Sequence, residues 1–156
     1  MTVSVNLDLG YEFAVRAPYP TVFEMLSDVP KATRHFPKLD RVVDLGDGIY
    51  RWEMAKIGVS KFVLQTIYAS KYVSDVASGS VVWTPVKGHG NALVSGSWKM
   101  LDKKNSTHLT LRITGVVDMP LPSMVKMIVV PAVQTEFEHL VEQYIDNLTK
   151  RFGGEV

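Results

Sequence analysis

Cysteine is absent from the 156 residues, which excludes a disulfide framework, thiolate catalysis and cysteine-ligated metal. Net charge is also nearly absent. With 17 basic against 16 acidic residues and no dense basic run, the chain carries no electrostatic footprint for nucleic acid or an anionic membrane. The most apolar part, Met124 to Val133, is half of the ~20 residues a bilayer crossing needs, so no stable membrane insertion is expected. The four histidines, His35, His89, His108 and His139, include no i,i+4 pair and have no cysteine to complete a set, so no metal site is expected. No G-x-S-x-G sequence presents a serine as a nucleophile. Lys87-Gly-His-Gly90 lies between two strand-like segments rather than before a helix, and it reads as a turn, not a phosphate loop. The first residues, Met1 to Asp8, alternate like a strand and have neither the basic end nor the apolar run of a signal peptide, so the expected location is cytoplasmic.

What the chain does have is a change of period. Phe13 and Val15 alternate with Ala14 and Arg16, whereas Val22, Met25 and Leu26 fall at offsets of three and four, so a strand passes into a short helix. The switch lies at Pro18 and Pro20, and Pro20 fits a first helical turn because its missing N–H is not needed there. Asp28 before Val29-Pro30 ends that segment, and Lys31 to His35 can form a second short helix.

Strands are then expected at about 39–46, 49–58, 61–73, 79–85, 91–102 and 107–117, following a first at about 3–16. Turn signals separate them: Gly46-Asp-Gly48, Gly58-Val-Ser60, Ser74 to Ser78, Lys87 to Gly90 and Lys103 to Ser106, mostly short enough for antiparallel pairing. From Pro122 the helical period returns. Val125, Ile128, Val129, Ala132, Val133, Phe137, Leu140, Val141, Tyr144, Ile145, Leu148 and Phe152 trace one stripe, opposite Lys126, Glu138, Glu142, Asp146 and Lys150. Gly153-Gly154 marks the end of this long helix, and Pro131 should bend it.

The order is one strand, two short helices, six strands and one long amphipathic helix, and the sheet must curl around the helix to bury its stripe. The expected fold class is α+β: a curved seven-stranded antiparallel sheet wrapped around a C-terminal helix, as one domain over 1–156. This order resembles the helix-grip fold of the START/SRPBCC superfamily, which includes polyketide cyclases, lipid carriers and coenzyme Q-binding proteins. The resemblance rests on Ala17-Pro18 followed by Val22 to Asp28, on His35-Phe36-Pro37, on Gly96-Ser-Trp98-Lys-Met100 before Ser106-Thr107, and on the last helix. It implies a cavity between the curved sheet and that helix.

Alternation indicates which residues would line such a cavity. Phe62, Leu64, Thr66, Tyr68, Ser70 and Tyr72 share one face of the 61–73 segment, and this aromatic face is the expected lining. Leu109, Leu111 and Ile113 share the apolar face of the last strand, and Trp98 is expected inside, with Trp83 as a further lining residue. In 49–58 either Tyr50, Trp52 and Met54 face inward, or Ile49, Arg51, Glu53 and Ala55 do. Apolar preference favours the first. Met124 and Ile128 complete the expected ligand contacts from the helix; Met119, Met124 and Met127 could form a gate over the cavity or fill gaps in the core.

The first register makes a binding pocket for a small hydrophobic molecule such as a lipid, quinone or polycyclic aromatic, with no cofactor. The second brings a charged pair into a dry site, where perturbed pKa values could support catalysis. For that alternative, the resemblance to polyketide aromatase/cyclases implies aldol closure by positioning, with Tyr68 and Tyr72 orienting carbonyls and Arg51 stabilising an enolate. Nothing in the sequence sets an oligomeric state.

Overall fold

The computed structural model describes residues 2–59 and 61–156. Strand β1 (Val3–Val15) leads into helices α1 (Tyr19–Ser27) and α2 (Val29–Thr33). Strands β2 (Leu39–Gly46), β3 (Ile49–Met54), β4 (Ile57–Val59), β5 (Phe62–Leu64), β6 (Ile67–Asp75), β7 (Ser80–Val86), β8 (Ala92–Asp102) and β9 (Thr107–Met119) follow. A 3-10 turn over Ser123–Val125 opens the last helix, α3 (Lys126–Arg151).

Seven strands make one sheet in the order β1-β9-β8-β7-β6-β3-β2, and every pairing in it is antiparallel. The two edge strands, β1 and β2, are consecutive in sequence, and α1 and α2 span the gap between them. The fold is therefore α+β, with a curved sheet gripping a long helix.

The sequence rules explain the elements. β1 alternates buried and exposed from Val3 to Gly10, as period two requires of a strand with one face on a core. Pro20 stands in the first turn of α1. Asp28 ends α1, and its side chain accepts the Lys31 backbone N–H at 3.2 Å, capping the next helix. That cap starts α2 at Val29, two residues before the expected Lys31, because Pro30 also fits a first helical turn. The hairpin at Gly46-Asp-Gly48 forms as expected, all three residues having positive φ.

Two expected strands prove to be four. The 49–58 segment divides into β3 and β4, and 61–73 into β5 and β6, with β4 and β5 forming a separate two-stranded ribbon. Side chains explain the interruption. Gln65 donates to the Met54 carbonyl at 2.9 Å; Asn91 accepts the Ile67 N–H and donates to the Gln65 carbonyl, each at 2.9 Å. Backbone groups satisfied in this way do not need the ladder. Gly58 and Val59 of the expected turn belong to β4, and Ser60 lies outside the described residues.

α3 runs unbroken through Pro131 and buries Val129, Val133, Phe137, Leu140, Val141, Tyr144 and Leu148 against the concave face of the sheet. Its end is a Schellman motif: the Gly153 N–H bonds to Lys150 O and the Gly154 N–H to Thr149 O at 3.2 and 2.9 Å, with φ of 85° and 105° at the two glycines. Arg16 N–H then donates to Gly154 O at 3.0 Å, tying the helix end to the end of β1. Among the described residues no helix is long and apolar enough to cross a membrane.

Candidate functional site

Between the sheet and α3 the interior is not completely filled. A cavity of about 60 Å³ is bounded by Leu7 and Leu9 of β1, Trp52 and Met54 of β3, Tyr68 and Tyr72 of β6, Val81 and Trp83 of β7, Val94 and Trp98 of β8, and Leu111 and Ile113 of β9. Phe137, Val141 and Tyr144 of α3 form the opposite wall, and Leu26, Val29, Ala32, Thr33 and Phe36 close the end. Period two explains the sheet wall, since each strand contributes side chains of one parity. Offsets of four and three place Phe137, Val141 and Tyr144 on one helical face.

The walls are aromatic. Trp52 stacks on Tyr68 (ring centroids 5.6 Å apart, planes at 16°) and Tyr72 on Trp83 (5.5 Å, 28°). Phe36 sets its ring edge against Trp52 at 5.3 Å and also contacts Tyr144 at 5.2 Å, offset and edge geometries that suit the ring quadrupoles. Gly96 makes this packing possible. It pairs with Trp83 across β7 and β8, and a Cβ there would sit 2.5 Å from the indole Cζ2, so only glycine lets the ring lie over the β8 backbone.

Polar groups in the cavity are few and uncharged. The Trp52 indole N–H donates to the Tyr72 hydroxyl at 2.9 Å. Burial pushes the Tyr68, Tyr72 and Tyr144 phenols well up from their usual value; for Tyr72 the indole hydrogen bond opposes the shift without cancelling it. These hydroxyls therefore stay protonated and serve as neutral hydrogen-bond donors, not as bases. Among the described residues no Asp, Glu, Lys or Arg belongs to the lining.

The charged residues of β3 lie on the other face. Arg51 Nε donates to Glu53 Oε2 at 3.0 Å, and Arg41 Nε of β2 donates to Glu53 Oε1 at 2.8 Å. The Arg41 hydrogen bond, assisted by Arg51, holds the Glu53 carboxyl below its usual range against the opposing effect of desolvation. Of the two registers weighed for 49–58, the structure has the one with Trp52 and Met54 inside. Arg51, the candidate enolate stabiliser, does not reach the cavity, because it is one residue out of phase with the lining.

Trp52, Met54, Tyr68, Trp83, Trp98, Leu111 and Ile113 thus stand on the cavity wall, as does Tyr72. Leu64, Thr66 and Leu109 are buried on expected faces but pack away from the cavity. Tyr50 is half-buried beyond its edge, with its ring against Tyr72 at 5.8 Å, and Phe62 is half-buried on the β4–β5 ribbon. Met124 and Ile128 are misplaced by the sequence reading: they are 91% and 65% exposed. Val125 packs on the core and Val129 is fully buried, so this part of the chain is covered, and Met124 and Ile128 are exposed because they point away from the core side that Val125, Val129 and Val133 share. Met127 is exposed too, while Met119 is buried in the core, so the three methionines form no common gate.

The sequence reading did not single out Leu7, Leu9, Leu26, Phe36, Val81, Val94, Phe137, Val141 or Tyr144 as lining. Parity carried a signal for the strand residues, and the helical stripe contained the last three. Phe36 had no periodic signal, since it follows α2 in irregular chain. Among the described residues no cluster of His, Asp or Glu could hold a metal; His35 instead sets Nδ1 3.2 Å from the Ala32 carbonyl.

No family model and no curated protein matches the chain by sequence. Solved structures do match in shape. A START superfamily protein from Mycobacterium smegmatis superposes with a TM-score of 0.67 at 12% identity, covering 94% of this chain and 97% of that one. The Zhui aromatase/cyclase from Streptomyces sp. R1128 gives 0.60 at 18% identity over 93% and 90%. The di-domain aromatase/cyclase StfQ of the steffimycin biosynthetic pathway gives 0.62 at 13% identity, covering 96% of this chain and 51% of that one. At these identities the likeness concerns architecture, and it agrees with the strand order and the gripped helix: the chain has the START/SRPBCC-type helix-grip fold.

Proposed function

We propose that this protein binds a small hydrophobic molecule in the cavity between its sheet and α3. The observation that carries the reading is the composition of the wall. Eight aromatic rings, those of Phe36, Trp52, Tyr68, Tyr72, Trp83, Trp98, Phe137 and Tyr144, meet there with aliphatic side chains, the Thr33 side chain and no charge. Such a surface gains free energy by covering an apolar ligand, at ~25 cal/mol per Å² removed from water, and offers only a few polar groups to orient it. The START-type fold supports the reading by analogy.

The cavity volume limits how binding proceeds. Ligand pockets commonly measure ~300–1,000 Å³, several times the 60 Å³ here. A ligand of one or more rings enters by moving wall side chains, and Phe36 is placed to move because it is half-buried and lies outside regular structure. A carrier of this kind operates in the cytoplasm, needs no cofactor and uses no nucleic-acid partner.

Native mass spectrometry of the purified protein, followed by solvent extraction, tests the proposal. A co-purifying lipid, quinone or polycyclic aromatic is the expected result. If the protein is empty, titration with apolar dyes should still perturb the tryptophans; a folded protein whose fluorescence ignores all such ligands would overturn the reading.

The alternative, a polyketide aromatase/cyclase-like enzyme, retains Tyr68 and Tyr72 as groups that could orient carbonyls but loses Arg51. Incubation with a model polyketide thioester decides it: product ratios unchanged from the protein-free reaction exclude catalysis on that substrate.

A further inference from the structure

The cavity has an imbalance of hydrogen-bonding groups that says what kind of apolar molecule fits it. Three phenol groups, those of Tyr68, Tyr72 and Tyr144, stand on its wall, close enough to influence one another electrostatically. Tyr72 accepts from the Trp52 indole, and among the described residues its own O–H has no protein acceptor. Tyr68 and Tyr144 are only 7% and 6% exposed, yet among the described residues neither hydroxyl has a hydrogen-bond partner in the protein. No side-chain polar atom among the described residues is both sealed off and unpaired, so these two hydroxyls open onto space, and the space their side chains border is the cavity. The result is a set of O–H donors without acceptors, on a wall without positive or negative charge.

Resting on the binding function proposed above, we infer that the cavity selects an uncharged aromatic carbonyl compound, whose oxygen is received by the hydroxyls of Tyr68, Tyr72 and Tyr144. The stacked pairs Trp52–Tyr68 and Tyr72–Trp83 supply flat surfaces for its ring. A carbonyl oxygen has two lone pairs and no proton, which complements surplus donors. A hydrocarbon of the same shape leaves those donors unanswered. A carboxylate of the same shape brings a negative charge into a cavity with no cation, and the phenols cannot replace its hydration. Selectivity thus has two parts, carbonyl over hydrocarbon and neutral over anionic, and both follow from the same wall.

The three tryptophans of the chain, Trp52, Trp83 and Trp98, all line the cavity, so their indole N–H resonances report on it directly. Acetophenone, ethylbenzene and benzoate, matched in ring and length, are titrated at pH 7 while those resonances are followed. Acetophenone is expected to bind at least as tightly as ethylbenzene although its carbonyl must be dehydrated. Benzoate is expected to bind at least about tenfold more weakly than acetophenone. In the double variant Tyr68→Phe, Tyr144→Phe, the acetophenone-to-ethylbenzene affinity ratio should fall about five- to tenfold. Ethylbenzene should bind this variant at least as tightly as it binds the wild type, because no donor is then left unanswered, and that binding verifies that the cavity is intact.

A ratio unchanged by the double substitution, or benzoate binding as tightly as acetophenone, overturns the inference and leaves hydrophobic binding standing. If none of the three ligands moves an indole resonance of the folded protein, the cavity is no binding site for compounds of this size, and the inference falls together with the reading beneath it.

Discussion

The two faces of β3 carry opposite chemistries a single residue apart. Inward, Trp52 stacks on Tyr68 and Met54 borders the cavity; outward, Arg51 and Glu53 join Arg41 in an ion-paired cluster. The difference shows how a period of two sorts charge. Outside, water and neighbouring charges solvate each group, so the cluster is tolerated at little cost. Inside, an unpaired charge would cost several kcal/mol, and the residues that β1, β3, β6, β7, β8 and β9 give to the cavity wall are all neutral. The consequence is functional: this wall offers surface, shape and phenol donors, and no group poised to transfer a proton near neutral pH.

Substituting neighbours on opposite faces tests the contrast most severely. Trp52→Ala removes a ring that stacks on Tyr68, meets Phe36 and donates to Tyr72. A loss of about 3–5 kcal/mol in urea unfolding is expected, and the Tyr72 hydroxyl loses its donor as well. A loss below about 1 kcal/mol would mean that the rings barely touch and that the cavity is larger than described.

Alkaline titration distinguishes the inner phenols from the outer charges. The unfolded chain releases its tyrosine protons near the ordinary value of 10.0, while burial keeps those of Tyr68, Tyr72 and Tyr144 bound in the folded state. The stability contributed by these groups is complete below pH 10 and falls as pH rises above it, by up to ~1.4 kcal/mol per pH unit for each phenol. Absorbance at 295 nm should show these three tyrosines ionising only on unfolding. Early ionisation of all six tyrosines in the folded protein would show that the inner hydroxyls are wet.

A smaller effect is expected from Tyr72→Phe, which leaves the Trp52 indole N–H without its acceptor. Leaving such a donor unpaired costs about 1–3 kcal/mol, and the Trp52 indole resonance should shift upfield while those of Trp83 and Trp98 move less. Equal stability together with an unmoved Trp52 resonance would remove this hydrogen bond from the description.

The architecture was legible because it depends on period and punctuation. Val3 to Leu9, Leu109 to Ile113 and Val129 to Leu148 announce their faces through alternation or helical spacing, and Gly46-Asp-Gly48 and Gly153-Gly154 mark their ends. Much of the cavity wall was legible for the same reason. What failed depended on contacts between distant segments. The break between β3 and β4 is made by Gln65 and Asn91, whose targets are chosen by the fold. Ile128 lies at the edge of the apolar stripe of α3 and Met124 in the turn before it, but spacing does not state how wide a stripe the core covers, and the buried one runs through Val129 and Val133. Phe36, which closes the cavity, sits in irregular chain where no period could identify it.

The mildest substitution is the one that separates a structural from a catalytic account of the outer cluster. Arg51→Ala removes one of two guanidinium groups from Glu53, whose carboxylate keeps its 2.8 Å bond to Arg41 and remains in reach of water. Little change in the urea midpoint is therefore expected. Arg51 is out of phase with the lining, so the affinity for apolar ligands and the three tryptophan signals should also stay at wild-type values. Arg41→Ala should be the more disruptive of the two for the Glu53 carboxyl, because its hydrogen bond contributes most to the lowered pKa; NMR titration of that carboxyl should show a larger upward shift than Arg51→Ala produces. An Arg51→Ala variant that bound ligand differently would require β3 to turn over or to move its edge on binding, and the inner and outer faces would then exchange members.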